Sequence, residues 1–252
     1  MPIDIQNVSM TYQSPEGEIH ALRDVSFRVG DGRFVSIVGP SGCGKSTLLS
    51  LIAGLEQPTS GSVLVDGVRV ERPDGTIGLM PQRDQLFDWR TVWKNVLLGP
   101  ELRGEDSKPR QAEIASMLEQ YALHGFSDKP PAQLSGGMRQ RCALIRTLAV
   151  EPRILLLDEP FSALDYQTRL AVSADIAHII RSQHKTAVLV THDISEAISM
   201  SDEIVVLSHR PGTVKSIHDL KAFRGLDAME RRAAHAFQEM FHEIWGELDV
   251  NA

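Results

Sequence analysis

The stretch GPSGCGKST, residues 39–47, has the residue types and spacing of a loop that cradles phosphate. It fits G-x-x-x-x-G-K-[ST]. The glycines let successive backbone N–H groups turn inward around a β-phosphate. Lys45 can reach the β and γ oxygens, and Ser46 can offer its hydroxyl to Mg²⁺. A chance glycine turn would share these letters. Here, though, an apolar run, RFVSIVG, precedes the loop and helical text, GKSTLLSLIAG, follows it. A helix placed there points its positive end at the anion.

Further along, ILLLDEP sets two carboxylates at the end of an apolar run. Asp158 is suited to support Mg²⁺, and Glu159 to orient or deprotonate an attacking water. A strand with an acidic turn would look the same, and it is the phosphate loop that favours chemistry. His192, in LVTHD, can donate a hydrogen bond to a γ-phosphate oxygen. Gln82, after IGLMP, is a neutral side chain able to contact Mg²⁺ or water. Alone, each would pass as structural. A second anion-binding turn stands in LSGGMRQR, residues 134–141. There Ser135, Gly136 and Gly137 precede a helix with the apolar stripe Leu144, Ile145, Leu148 and Ala149, and Arg139 and Arg141 add charge. A serine-capped helix with no ligand is the plainer reading. Why one chain carries two such turns is the question these motifs raise.

The elements that would position these residues read as an α/β fold. From Ile3 to Val29 the text is β-like, broken at SPEGE and GDG, and GSVLVDG looks like one arm of a hairpin. From Gln82 to Val150 it is mostly helical around a loop, HGFSDKPPAQ. The runs ILLL at 154–157, AVLV at 187–190 and EIVVLS at 203–208 are apolar without alternation. Such strands among helices predict a parallel sheet covered on both faces, with ligands at the carboxyl ends of its strands. The motifs at Gly39, at Asp158 and Glu159, and at His192 all stand at such ends. The tail, 227–248, reads as one amphipathic helix with Met229, Ala233, Phe237, Met240, Phe241, Ile244 and Leu248 near one face. Asp227 with Glu230 resembles a helix-start box. Packing on its own domain is expected of that face, with a regulatory or subunit contact as the alternative.

Composition narrows the function classes. With 252 residues, 42% of them hydrophobic, the chain can bury a real core. A net charge of −7 argues against a sequence-independent grip on nucleic acid, so no nucleic-acid partner is expected. No apolar run approaches the roughly 18 residues that cross a bilayer, and Asp4 interrupts any leader early. A cytosolic protein is expected, and Cys43 and Cys142 are too few for a disulfide scaffold.

In this order, the phosphate loop, Gln82, LSGGM, LLLDEP, SALD at 162–165 and His192 resemble the ATP-binding subunit of an ATP-binding-cassette (ABC) transporter, over about residues 3–215. The resemblance implies an ABC-type P-loop ATPase domain at 1–220. It would hold a mainly parallel core sheet, an N-terminal antiparallel β sub-domain and an inserted helical sub-domain at about 83–150, with a helical tail at 221–252. It implies ATP and Mg²⁺. It also implies a head-to-tail pair of copies, in which each ATP lies between the phosphate loop of one chain and the LSGG turn of the other. Two cradles in one chain would then serve two different ATP molecules. By the same resemblance Tyr12 stacks on adenine. Gly39, Pro40, Ser41, Gly42, Cys43, Gly44, Lys45, Ser46 and Thr47 hold the phosphates, Ser135, Gly136 and Gly137 reach the ATP of the other copy, and Asp165, counted with the ATP-binding residues, matches the aspartate of the loop that bridges the two chains. Glu159, His192, Gln82 and Lys45 would be catalytic, and Ser46, Gln82 and Asp158 would attend the metal. Met138 stands where many members have glutamine, and leaves the serine and glycines intact. Cys43 reads as a small tolerated residue rather than a redox switch.

Two further stretches, MPQRDQLFDWRTVWKNVLLG at 80–99 and THDISEAISMSDEIVVLSHRPGTV at 191–214, resemble importers of nitrate, aliphatic sulfonates and taurine, and of related solutes such as thiamine-precursor pyrimidines. Many relatives have leucine-proline where Phe87 and Asp88 stand. This implies an ATPase lying peripherally on the cytoplasmic face of the cell membrane, bound to integral-membrane permease subunits and indirectly to a solute-binding protein. Phe87 and Trp89 would line a groove for a short permease helix. A soluble ABC ATPase of DNA repair or translation is the alternative, but it brings a long coiled-coil insertion or two cassettes. A small-metabolite kinase would have no use for LSGGM or SALD.

Overall fold

The computed structural model describes residues 1–15, 17–162 and 164–249. Glu16 in the SPEGE break, Ala163 of SALD and residues 250–252 of the tail lie outside the described residues.

Two strands, β1 (Ile3–Ser14) and β2 (Gly17–Val29), form a long antiparallel hairpin with Ile3 opposite Val29 and Ser14 opposite Gly17. Then come β3 (Phe34–Val38) and α1 (Lys45–Ile52). A small hairpin follows, β4 (Ser60–Val65) and β5 (Val68–Arg69), and β4 joins the far edge of β1, giving a sheet in the order β2-β1-β4-β5.

Next is β6 (Ile77–Met80), followed by the helices α2 (Val92–Val96), α3 (Leu98–Arg103), α4 (Lys108–Gln120) and α5 (Gly136–Leu148). The remaining elements are β7 (Ile154–Asp158), α6 (Tyr166–Ser182), β8 (Thr186–Val190), α7 (Ile194–Met200), β9 (Glu203–Leu207), β10 (Val214–Asp219), α8 (Ala228–Ala233) and α9 (His235–Asp249). The second sheet runs β10-β9-β3-β8-β7-β6, parallel throughout except for β10. Every residue of β3 and β8 is buried, because both faces of the sheet are covered, and this is the origin of their unalternating text.

The tail departs from a single helix. Asp227 caps α8 with its side chain on the Met229 and Glu230 N–H groups, and Glu230 accepts from the Asp227 N–H in return. Ala234 then turns extended (ψ 140°), and α9 starts anew. The break puts Met229 and Ala233 on the exposed side. Phe237 and Ile244 are buried among Val38, Ile194, Ile198, Leu220 and Phe223, with Met240, Phe241 and Leu248 packed beside them.

Candidate functional site

Strand register gathers the motifs. Ile37 of β3 lies opposite Val190 of β8, Val190 lies opposite Asp158 of β7, and Leu157 lies opposite Met80 of β6. The chain leaving each carboxyl end therefore carries Gly39 onward, His192, Glu159 and Gln82 to one edge of the sheet, where open α/β sheets place ligands.

In the phosphate loop Gly42 and Gly44 have φ of 75° and 102°, a region L side chains rarely adopt. A Cβ on Gly44 would also stand 2.6 Å from Leu22 Cδ2. Lys45 is 6% exposed, and its ammonium donates to the carbonyls of Gly39 (2.8 Å) and Pro40 (2.9 Å). Ser46 Oγ donates to Asp158 Oδ1 at 3.1 Å. Burial raises the Asp158 carboxyl above the usual range and the Glu159 charge adds to this, while the Ser46 hydrogen bond and the Lys45 charge oppose it. Such a hydroxyl–carboxylate pair is a hard oxygen donor set that fits Mg²⁺. Among the described residues no three His, Cys, Asp or Glu side chains converge to hold a metal.

Beside this pair, Gln82 Nε2 donates to Glu159 Oε2 at 3.2 Å, and His192 Nδ1 lies 3.2 Å from the same oxygen. Glu159 takes φ 43°, uncommon for a side-chain-bearing residue, and its N–H donates to Val190 O. A conformation of this kind costs about 1–3 kcal/mol and needs the surroundings to hold it. Here the held group is a carboxylate met by two polar side chains.

A cavity of about 300 Å³ opens onto this edge, lined by Tyr12, Ser41, Gly42, Lys45, Ser46, Thr47 and Glu159 among others. The Tyr12 hydroxyl donates to Glu56 Oε2 at 2.6 Å and lies 3.4 Å from Thr47 Oγ1, which ties the ring to α1 and the residues after it. A larger cavity, about 700 Å³, lies between α6 and the turn before α8 and is lined by none of the phosphate-loop residues nor by Asp158 or Glu159. The chemistry of its lining makes the smaller cavity the candidate site.

Ser135, Gly136, Gly137 and Asp165 do not line that cavity. Ser135 caps α5 by accepting from the Met138 N–H, and Asp165 caps α6 by accepting from the Thr168 N–H. They neighbour each other: a Cβ on Gly136 would touch Leu164, and one on Gly137 would meet Thr168 at 2.7 Å. The candidate residues thus form two groups, one around the phosphate loop and one around the starts of α5 and α6. Met138 is partly buried against the core, and Cys43 and Cys142 are buried free thiols that burial pushes up, Cys142 to about 12.

Arg210 also lines the cavity, from the turn between β9 and β10, and sequence reasoning did not single it out. Its turn is stitched to β2 by Gly212 N–H to Ala21 O (2.9 Å) and Arg23 N–H to Gly212 O (3.0 Å). Gly212 sits so close to Cys43 O that an added Cβ would overlap that carbonyl. Gly212→Ala is therefore expected to strain the phosphate loop from behind. Overpacking of this kind costs about 1–3 kcal/mol, roughly 2–12 °C in melting temperature for a chain of this size. Thermal melting and titration with ATP check it, and unchanged values in both would show that the turn yields freely.

Comparison with known proteins agrees with this geometry. The family model described as ABC transporter matches residues 22–162, more than half of the chain. The ABC transporter ATP-binding protein YtlC of Bacillus subtilis (strain 168) is 44% identical over 98% of this chain and 95% of its own. The taurine import ATP-binding protein TauB of Jannaschia sp. (strain CCS1) is 37% identical over 96% of this chain and 92% of its own. A solved structure, the dimeric post-hydrolysis state of the ATP-binding cassette MJ0796 bound to ADP and Pi, superposes with a TM-score of 0.76 at 34% identity, covering 87% of this chain and 99% of that one. With a phosphate loop and carboxylates gathered on one sheet edge and relatives of this likeness over nearly its whole length, the chain belongs to the ABC transporter family as an ATP-binding cassette protein.

Proposed function

We propose that this chain binds and hydrolyses ATP to energise an importer, working as a pair of copies on the cytoplasmic face of the cell membrane. The observation that carries the reading is the meeting of Gln82 and His192 on one oxygen of Glu159, beside the Ser46–Asp158 pair and the phosphate loop. Glu159 orients the attacking water and takes its proton, and His192 hydrogen-bonds a γ-phosphate oxygen. Lys45, Ser41 to Gly44 and the α1 N-terminus neutralise the phosphates. Ser46, Asp158 and Gln82 would hold Mg²⁺, which would supply charge neutralisation to the phosphates. Tyr12 faces adenine. Ser135, Gly136, Gly137 and Asp165 serve the ATP of the other copy, a reading supported by their separation from the cavity of their own chain.

The chain divides into an ATPase domain at 1–220, with a helical sub-domain at about 83–150, and a tail at 221–252. No helix among the described residues is long and apolar enough to cross a membrane, and the membrane passage belongs to permease subunits, fed by a solute-binding protein. The solute is a small compound of the nitrate, sulfonate or taurine class, or a related one such as a thiamine-precursor pyrimidine. The taurine importer's likeness supports that range.

The permease contact is the part a surface experiment reaches. Leu86, Val92 and Val96 of the aromatic-rich stretch are buried in the core, and Trp93 packs against it. Phe87 and Trp89 instead stack on each other at 4.7 Å between ring centroids, with Trp89 81% exposed. Asn95 holds the turn beneath them, accepting from the Phe87 N–H and donating to the Phe87 and Arg90 carbonyls. An aromatic stack presented on a fixed turn suits a buried interface anchor. Phe87→Ala with Trp89→Ala is expected to leave melting temperature and basal ATPase of the free subunit near normal and to abolish pull-down of the permease. Normal assembly and uptake would place the groove elsewhere, and a collapsed melting temperature would make these rings part of the core.

A further inference from the structure

His192 stands on a turn that is braced from outside the nucleotide cavity. Thr191, before it, donates from Oγ1 to Glu196 Oε2 at 2.8 Å and accepts from the Asp193 N–H. Asp193, after it, caps α7 through Oδ1 on the Ser195 and Glu196 N–H groups. Glu196 itself is buried, its side chain 5% exposed. From α6, Arg169 reaches this turn. Its guanidinium lies 3.5 Å from Asp193 Oδ2 and 3.8 Å from Glu196 Oε1, and its Nε is buried with no hydrogen-bond partner. The same guanidinium donates to the carbonyl of Leu164 at 3.0 Å, one residue before Asp165. At the other end of that segment, Ser162 bonds the carbonyl of Glu159 through its N–H (3.2 Å) and its hydroxyl (3.1 Å). One cation thus joins the chain that leaves Glu159 to the chain that carries His192.

We propose that Arg169 and Glu196 form a positioning couple that holds His192 against Glu159 and relays the placement of the Leu164–Asp165 turn to it. The couple rests on the catalytic reading of His192 given above. Neither residue lines the cavity. Their effect falls on the chemical step, leaving the binding of nucleotide alone. The groups facing Glu196 are Thr191, Asp193, Arg169 and His192. Burial pushes its carboxyl up to about 7 and Asp193 adds to this, while the Thr191 hydrogen bond and the charges of Arg169 and His192 oppose it. The sign follows. Above pH 7 Glu196 is ionised and pairs with Arg169, and below it the carboxyl takes a proton and the pairing is lost.

The test uses the purified full chain with ATP and Mg²⁺. Glu196→Gln keeps the shape and an acceptor for Thr191 but cannot ionise. Its kcat is expected to fall at pH 8 with KM for ATP unchanged, and the ratio of wild-type to variant kcat is expected to rise from pH 6 to pH 8 by up to about tenfold, the change in ionised fraction of a group titrating about 7. Arg169→Met is expected to lower kcat by about ten- to a hundredfold, the scale of an ångström-sized misplacement, with ATP binding intact. Arg169→Lys, a point charge without the fork, is expected to restore only part of it. His192→Ala separates the two readings. If it turns over normally, the catalytic assignment of His192 falls and the couple with it. If His192→Ala is slow while Glu196→Gln keeps full kcat at a constant ratio across pH, the couple is overturned and His192 stands. Should Arg169→Met fail to fold, the Glu196→Gln ratio decides alone.

Discussion

Glu159→Gln is expected to bind ATP with near-normal affinity and to hydrolyse it about 10²–10⁴-fold more slowly, the usual cost of losing a general base. The substitution changes almost no volume, and an amide at this place can still meet Gln82 and His192, which now share one Glu159 oxygen. The phosphate loop, Lys45 and the Ser46–Asp158 pair are left in place, so binding survives while the proton acceptor is gone. The backbone gives a second reason to expect a local effect. Glu159 holds its unusual φ of 43° through an N–H to Val190 O and the Ser162 contacts on its carbonyl, none of which involves the carboxylate. With hydrolysis stopped, ATP is expected to accumulate a pair of copies that elutes earlier on size exclusion and persists until the nucleotide is removed. Phosphate release at nearly the wild-type rate would take Glu159 out of the role.

The parts of this site that could be read from the sequence are those in which local chemistry and fold agree. The phosphate loop is legible because glycine is required where φ is positive at Gly42 and Gly44, and because β3 before it is buried at every position. The runs of β7, β8 and β9 stand out for the same reason of burial on both faces. Edge strands give no such signal. In β10 residues alternate between half-buried and exposed and polar side chains interrupt the text, while β6 is apolar but only four residues long with a glycine inside it, too short to stand out as a strand. The tail shows the limit of periodicity. Its stripe is real from Phe237 to Leu248, but the break at Ala234 depends on where α8 is pinned, and Arg231, buried and donating to the carbonyls of Ile198 and Ser201, is part of that pinning. Arg210 and Arg169 carry no signal in the sequence, because the cavity that Arg210 lines and the Asp193 and Glu196 carboxylates that face Arg169 are brought close by other elements, and no spacing along the chain records such contacts.

The second large effect concerns the two cradles. Lys45→Ala and Ser135→Arg are each expected to lose most of their turnover as pure proteins, about a hundredfold or more, for different reasons. Lys45→Ala removes the buried ammonium that the loop carbonyls now hold, and a lost preorganised charge at the reacting phosphate costs on that scale. Ser135→Arg places a large cation where the start of α5 would meet the other copy's ATP, and it also removes the cap on the Met138 N–H. The lost cap alone costs about 0.5–2 kcal/mol, so the melting temperature of Ser135→Arg must be measured beside its activity, with Ser135→Ala as the cap-only control. Within one chain Ser135 lines no part of the phosphate-loop cavity. If the site were complete in one chain, Ser135→Arg would therefore leave it untouched and its turnover normal. If the site is shared by a head-to-tail pair, mixing the two inactive proteins builds dimers in which one site joins both damaged halves and the other joins both intact halves. Random pairing makes half the dimers mixed, with one good site in two, so about a quarter of wild-type activity is expected to return provided a single site can turn over. The measurement is phosphate release from each protein alone and from the mixture, at equal total concentration. Full activity of Ser135→Arg alone would end the shared-site model. Recovery on mixing would require that each copy supply what the other lacks, because neither chain in the mixture carries both cradles intact.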